Sequence, residues 1–367
     1  MLQEGSASVW PALTRLIRRA IAQNGGWLPF DRFMAMALYA PGLGYYAHAS
    51  RKFGLMPESG SDFITAPELS PLFGRALARQ VGQALDATGT DEIWEFGAGS
   101  GELAAQLLGE LGAVVRRYTI VDVSGALRAR QRERLEAQGA RVAWADALPA
   151  SMRGVVVGNE VLDAMPVQLL HFDGARWHER GVVQRGQEFA FDDRPTDLRP
   201  PSMEEAAFAP GTTIERHAQA EAFVATLGER LSRGAAFFID YGFSEAEYYH
   251  PQRIGGTLMC HRAHRADTDP LADVGMKDIT AHVDFTGIAL AAQDAGFEVI
   301  GYTSQARFLM NCGILGMLCG ADLRTIADAQ KLLTEHEMGE LFKVLALARG
   351  CVFEPLGFTS GDRRHTL

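Results

Sequence analysis

The chain has 367 residues, 47% of them hydrophobic and 22% charged, with a formal net charge of -10. That is enough chain to bury a large core and too little for three ordinary domains, so one α/β core with added segments is expected. The acid excess excludes a nucleic-acid groove as the main surface, because phosphate binding needs a basic footprint, and no window has the length and apolarity of a membrane span.

Residues 1–90 read as an N-terminal helical extension, with helical periodicity over 11–24, 30–38 and 70–85. Glu4 and the early arginines leave no apolar stretch for a secretory signal. Residues 12–23 are amphipathic and carry arginine, as a transit peptide would, but their continuation into the apolar 30–39 segment favours a packed helix. Between the helices lies 42–67, rich in Gly, Ser, Pro and aromatics. A loop of that length inside a compact domain is usually functional or disordered, and its aromatics argue against disorder.

Residues 91–350 read as the core. A strand at 92–96 leads into a helix over 101–111. A second strand at 118–122 is followed by a helix over 127–138. A third strand, 141–144, ends at Asp146, and a fourth, 155–158, ends at Asn159-Glu160. This alternation implies a parallel, doubly wound sheet. Residues 169–174 and 177–183 form a hairpin around Asp173-Gly174 inside an insertion at about 168–212. A helix over 214–231 returns to strand 235–240, which ends in Asp240-Tyr241-Gly242. A second, loop-rich insertion covers about 243–280. Helix 283–295 and strand 297–303 follow, then a helical segment at 306–340 and an apolar strand at 341–348. A seven-stranded sheet whose last strand runs antiparallel fits this order.

The most informative stretch is Glu95-Phe96-Gly97-Ala98-Gly99-Ser100-Gly101-Glu102. Strand, glycine-rich turn, helix, strand and acid (Asp122) is how an α/β sheet holds an adenosine-containing cofactor. A dinucleotide fingerprint would place its third glycine at 102. The residue there is Glu102, which would repel a pyrophosphate and disfavours a nicotinamide-dependent oxidoreductase. The pattern is E-x-G-x-G-x-G, and acids around the loop suit the amino group and sulfonium of S-adenosylmethionine. Glu95, Gly97, Gly99 and Gly101 are therefore candidate cofactor residues, with Asp122 for the ribose hydroxyls. Asp146 is a candidate for the adenine amino group, with backbone from Ala147; the competing reading of Asp146 is a helix N-cap.

A second signal is Gly158-Asn159-Glu160-Val161-Leu162-Asp163-Ala164-Met165-Pro166-Val167. If this turn starts a helix, Glu160 and Asp163 share a face and can grip a guanidinium in a bidentate way. The alternative is that Asn159 caps the helix and Asp163 offsets its dipole. Cys260-His261-Arg262-Ala263-His264, with His282, has the residue types of a metal site but reads better as polar lining of a cleft, and no metal is expected. Residues 309–319 place Leu, Met and Cys at helical spacing and read as core or partner-facing helix. The four cysteines, Cys260, Cys312, Cys319 and Cys351, are scattered, as in a reducing compartment.

These motifs resemble the MidA family of S-adenosylmethionine-dependent methyltransferases, which includes a mitochondrial assembly factor of respiratory complex I. The resemblance rests on Tyr39-Ala40-Pro41 with Gly44-Tyr45-Tyr46, on Asp62 through Gly74, on the glycine loop, on Asn159-Glu160 through Val167, on Asp240-Tyr241-Gly242, on Asp269-Pro270-Leu271 and on Asp278 through Phe285. It implies a class I methyltransferase, an α/β fold with a Rossmann-like seven-stranded sheet, using S-adenosyl-L-methionine. The family's loop often reads Gly-Pro-Gly-Arg-Gly, and its ribose acid is often Glu; here Ala98, Ser100 and Asp122 stand instead. By the resemblance, the expected acceptor is a protein side chain, an arginine guanidinium, oriented by Glu160 and Asp163 with the amide of Asn159. Asp62, Phe63, Thr65, Pro67 and Glu68, with Tyr241, would close the site over substrate. The alternative is a non-catalytic respiratory-complex assembly factor that retains the fold. A bacterial, cytoplasmic protein is expected, with a homodimer compatible.

Overall fold

The structure, a computed structural model, describes residues 4–47, 64–122, 124–201, 208–262 and 265–367. Asp62 and Phe63 lie outside the described residues. The central sheet is built from β1 (Glu92–Phe96), β2 (Arg117–Val121), β3 (Val142–Ala145), β4 (Met152–Asn159), β5 (Leu231–Phe243), β6 (Glu298–Ser304) and β7 (Phe342–Arg349). Their spatial order is β6-β7-β5-β4-β1-β2-β3. The five strands from β3 to β5 are mutually parallel, and β7 runs antiparallel to both its neighbours. The expected seven-stranded sheet with its antiparallel last strand is present, extended by Val283–Asp284, which pairs parallel with the end of β5.

Both faces of the sheet are covered, so its central strands read as unbroken apolar runs. Val155 and Val157 of β4 enter one core with helices Pro71–Thr88 and Glu102–Leu111. Val156, between them, enters the opposite core with helices Ala218–Arg230 and Phe285–Asp294. The side-chain period of two in a strand divides the run between the two layers.

Two smaller sheets lie outside this core. The expected hairpin, Gln168–Phe172 with Trp177–Arg185, is present, but it belongs to a five-stranded antiparallel sheet with Glu188–Pro195, Leu28–Pro29 and Thr213–Arg216. The helix expected from 214 therefore begins only at Ala218. Thr213 and Ile214 are β-branched, and Ile214 is buried beside Leu170 and Trp177 once its strand pairs with Gln168–His171. The stretch expected to be loop-rich holds a three-stranded sheet, Met259–Arg262, Arg265–Asp267 and Asp278–Thr280. The helix expected over 127–138 ends at Arg134 and continues as a 3-10 turn. The helical segment after β6 is broken into Gln305–Asn311, Ile314–Met317 and Leu323–Leu333, with left-handed glycines 313 and 320 at the breaks.

The N-terminal helices Glu4–Gln23 and Phe30–Tyr39 pack on the smaller sheets. Leu13, Ile17, Phe33 and Leu38 share one buried cluster with Leu169, Val182, Cys260 and Ile279. This packing brings Tyr39 and Tyr46 to the edge of the central sheet. Among the described residues, no helix is long and apolar enough to cross a membrane.

Candidate active site

The carboxyl ends of β1, β2, β4 and β5 open into one cavity of about 830 Å³. In open α/β sheets the ligand lies in this position, and the volume falls within the range of small-molecule sites. Glu95, Gly97, Gly99, Asp122, Asn159, Glu160, Asp163, Thr65, Pro67 and Tyr241 all line it.

The glycine loop turns because its glycines take left-handed conformations, with φ of 63° at Gly97, 53° at Gly99 and 82° at Gly101. Gly97 and Gly99 face the cavity. Gly101 instead faces Gln131, whose Cα would lie at an ordinary contact distance of 3.4 Å from an added Cβ, so glycine is needed there for its left-handed backbone and not for space. Beneath the loop, Glu95 is 2% exposed and accepts a hydrogen bond from the Tyr118 hydroxyl at 2.8 Å. Burial pushes its carboxyl up to about 8, against the pull of that hydroxyl.

Asp122 ends β2 and is 6% exposed. One oxygen accepts the Ser124 N–H at 2.8 Å and the other the Gln131 side-chain amide at 2.8 Å. A carboxylate has about four acceptor positions, so two remain for a pair of ribose hydroxyls. Gln131, fully buried, also donates to the Gly99 carbonyl at 3.0 Å and accepts from the Trp144 indole at 3.0 Å. It thus joins the loop to the ribose acid. Nothing local in the sequence marks this role.

Asp146 does not reach the cavity. It is paired with Arg128 at the surface, its side chain 89% exposed, and Ala147 also lies outside the lining. The Arg128 guanidinium draws it outward while donating to the carbonyls of Asp122 and Ala145.

The segment after β4 does not form a helix, contrary to expectation. Asp240, 1% exposed at the end of β5, accepts the consecutive N–H groups of Val161, Leu162 and Asp163 at 3.1, 2.9 and 3.3 Å. These donors are therefore satisfied without a helical turn. Glu160 adopts φ of 53°, which is uncommon outside glycine, and its N–H donates to the Ile239 carbonyl at 2.9 Å. Both Glu160 and Asp163 nevertheless reach the cavity, Glu160 through its left-handed backbone.

Burial first, and then the neighbouring Asp163, push the Glu160 carboxyl up to about 8. It accepts from the Asn159 amide at 3.1 Å and from the N–H of Ala66. Asp163 is pushed up to about 6 by burial, against a hydrogen bond from the Tyr241 hydroxyl. Its Oδ1 is buried without a partner of ordinary hydrogen-bond geometry, though backbone N–H groups lie close by, and the Asn159 Oδ1 is likewise unpartnered. Buried acceptors of this kind in a cavity wall fit a ligand that brings donors.

The strap Ala66–Leu69 rests on this wall through Ala66. Gln106, on the helix after the glycine loop, donates to the Pro67 carbonyl at 2.8 Å. Glu68 does not line the cavity; it is hydrogen-bonded to Ser100 of the glycine loop. Sequence reasoning missed the remaining wall. Tyr39 and Tyr46 stack at 5.5 Å, the Tyr39 hydroxyl donates to the Ala164 carbonyl at 2.8 Å, and the Tyr46 hydroxyl donates to Asp278 at 2.7 Å. The quoted motif Tyr39 through Tyr46 was the available signal, without a role attached. His261 and His282 also line the cavity, and burial lowers both, His282 to about 4. Cys260 points into the apolar core, and no group of three or more ligating side chains is placed to hold a metal among the described residues.

Comparison with known proteins agrees with this geometry. A family model described as "Putative S-adenosyl-L-methionine-dependent methyltransferase" matches residues 76–303. The chain is 51% identical to a Burkholderia thailandensis protein whose crystal structure contains S-adenosyl-homocysteine, with a TM-score of 0.95 over 100% of this chain and 99% of that one. It is 27% identical to the mitochondrial protein arginine methyltransferase NDUFAF7 of Mus musculus, over 93% of this chain and 85% of that protein. The Caenorhabditis elegans homolog is 26% identical over 79% of this chain and 74% of its own length.

Proposed function

The chain belongs to the MidA-like family of S-adenosyl-L-methionine-dependent methyltransferases, and from that premise we propose that it methylates a protein side chain, the guanidinium of arginine. The observation that carries this reading is the set of acidic side chains in the cavity wall. Among the described residues it includes Glu95, Glu102, Asp122, Glu160, Asp163 and Asp278, and neither lysine nor arginine. Glu102 is paired with Arg134, while Glu95, Glu160 and Asp163 are held by hydrogen bonds from Tyr118, Asn159 and Tyr241, and a cationic occupant suits buried acids held in that way. The distant relatives described as protein arginine methyltransferases support the same acceptor.

In this reading the glycine loop and Asp122 hold S-adenosyl-L-methionine, which supplies a methyl group on a sulfonium. Glu160 and Asp163 form a paired acceptor for the planar guanidinium, and its arrival favours their charged forms. Asn159 adds its amide oxygen. A guanidinium nitrogen donates its electron pair to the methyl carbon as the carbon–sulfur bond breaks, leaving a neutral thioether. The proton shed by that nitrogen passes to Asp163, held by the Tyr241 hydroxyl. Tyr39, Tyr46, Phe223 and Phe342 line the same cavity and limit water, so that catalysis is mainly positioning.

The test is methyl transfer. Purified protein is incubated with methyl-labelled S-adenosyl-L-methionine and the proteins of a strain lacking this gene, and the modified residues are mapped by mass spectrometry. Label on arginine supports the reading. Label on lysine, on a hydroxyl or on a small metabolite overturns it. Cofactor binding with a co-purifying partner and no transfer would favour the assembly-factor alternative.

A further inference from the structure

The motif Asp278 through Phe285 joins the Glu160 segment by one backbone hydrogen bond, from the Ala281 N–H to the Asp163 carbonyl at 3.0 Å, and two residues of its strand, Asp278 and Thr280, face the cavity. Asp278–Thr280 pairs antiparallel with Met259–Arg262, setting Asp278 against His261 and Thr280 against Met259. Residues on one face of paired strands alternate with those on the other. Met259, His261, Asp278 and Thr280 line the cavity, while Cys260 and Ile279 between them are fully buried in the apolar cluster behind. The small sheet therefore presents one polar face, outside the central sheet, to the same space that the glycine loop and Glu160 line.

We propose that this face is the acceptor-recognition wall and that Asp278 is a specificity-determining residue which selects a cationic side chain. The inference rests on the arginine reading above and names a further part of its site. Asp278 is 3% exposed, and the Tyr46 hydroxyl and the Ile279 N–H hold its carboxylate in place. It lies near enough to Glu160 to raise that carboxyl, so the two belong to one electrostatic field. The independent sign of a ligand is Asp163, 4% exposed in the same wall, with a buried Oδ1 that lacks a partner of ordinary geometry. Among the described residues the other ionisable lining on this side does not oppose a cation, and burial lowers His261, directly across from Asp278. His282, packed edge-on against the Tyr241 ring, is held neutral by burial. Arg253 and Lys343 face His282 from neighbouring elements but are not part of the cavity lining.

The experiment compares wild type with Asp278→Asn. Three peptide libraries are used, identical except for a fixed central arginine, lysine or citrulline. Citrulline has nearly the shape of arginine without its charge. Methyl transfer to the arginine library gives kcat and KM, the citrulline library is titrated as a competitor, and calorimetry with S-adenosyl-homocysteine reports an intact cofactor site. The expected result is a KM raised at least about tenfold by Asp278→Asn, the order for one lost charged hydrogen bond. Cofactor affinity is unchanged, and citrulline competes relatively better against the variant. Asp278→Glu should restore most of the discrimination. A variant KM equal to wild type, with wild type still preferring arginine, overturns the role of Asp278 alone. A wild type that does not distinguish arginine from citrulline overturns the cationic-acceptor reading, and the role of Asp278 falls with it. If Asp278→Asn and Asp278→Glu both lose cofactor affinity, Asp278 supports the fold and the proposal is refuted.

Discussion

Replacing Glu160 by glutamine should make the empty protein more stable and the enzyme nearly inactive. The Glu160 carboxyl is pushed up to about 8 from an ordinary 4.5, so it folds protonated at neutral pH. A carboxyl raised by folding contributes its full stability below its unfolded value and loses it as pH rises through the folded value. Each unit of pH in that window is worth about 1.4 kcal/mol, so retaining the proton at pH 7 costs wild type up to about 3 kcal/mol. At pH 5 the cost falls below about 1 kcal/mol. Glutamine has nearly the shape of the protonated acid, with two amide N–H donors where the acid has one O–H, and it carries no such cost. With an unfolding entropy of about 2 cal/mol/K per residue, the gain corresponds to at most about 4 °C in Tm at pH 7 and about 1 °C at pH 5. Scanning calorimetry of both proteins at the two pH values reads this difference. Methyl transfer to the acceptor should fall at least about a hundredfold, the order for losing an electrostatic partner of the reacting group. Cofactor binding should be nearly intact. A Tm lowered equally at both pH values, or transfer at the wild-type rate, would refute the assignment of a raised carboxyl in the acceptor clamp.

Asp122→Ala should weaken S-adenosyl-homocysteine binding at least about tenfold by calorimetry, as charged hydrogen bonds to the ribose are lost; equal affinity would mean that another group holds the sugar. Gln131→Leu should weaken the same ligand by about tenfold without touching it, because the Gly99 carbonyl and Asp122 lose their shared donor. Wild-type affinity in that variant would leave Gln131 a packing residue only. Tyr241→Phe removes the hydroxyl that lowers Asp163 from what burial alone would impose. Asp163 must be charged to accept a proton, so the acid limb of the pH–kcat profile should move to higher pH; an unmoved limb would take the proton away from Asp163.

What the sequence disclosed follows the range of the interactions involved. The glycine loop and Asp122 were legible because a strand, a tight turn and the next strand end fix them within about thirty residues. Alternation made a parallel sheet with an antiparallel last strand legible, but not the spatial order of the seven strands, which pairing between distant segments sets. That Glu160 and Asp163 reach the cavity was legible from their place at the end of the fourth strand, but their backbone was not. The carboxylate that satisfies Val161, Leu162 and Asp163 comes from Asp240, on a strand that joins only in three dimensions. Asp146 was misplaced for a related reason. A strand-end acid suggests a ligand, and only the position of Arg128 shows it turned to solvent. Ile214 was assigned to a helix because the partner strand that claims it lies more than forty residues earlier. The tyrosines at 39 and 46 had no legible role, since their wall exists only after the N-terminal helices dock on the smaller sheets.

The all-acid lining has a consequence for turnover. Sulfonium becomes thioether in the reaction, so the occupant of the glycine loop enters as a cation at sulfur and leaves neutral there. In the proposed reading Asp122, beside that loop and with no lysine or arginine in the lining, attracts the first form more than the second, and a bound sulfonium also favours the charged form of the buried Glu95. The same charges that gather the reactants therefore loosen the spent cofactor, and exchange acquires a direction without any moving part. Salt, by screening this attraction, should narrow the preference for the charged form over the neutral one.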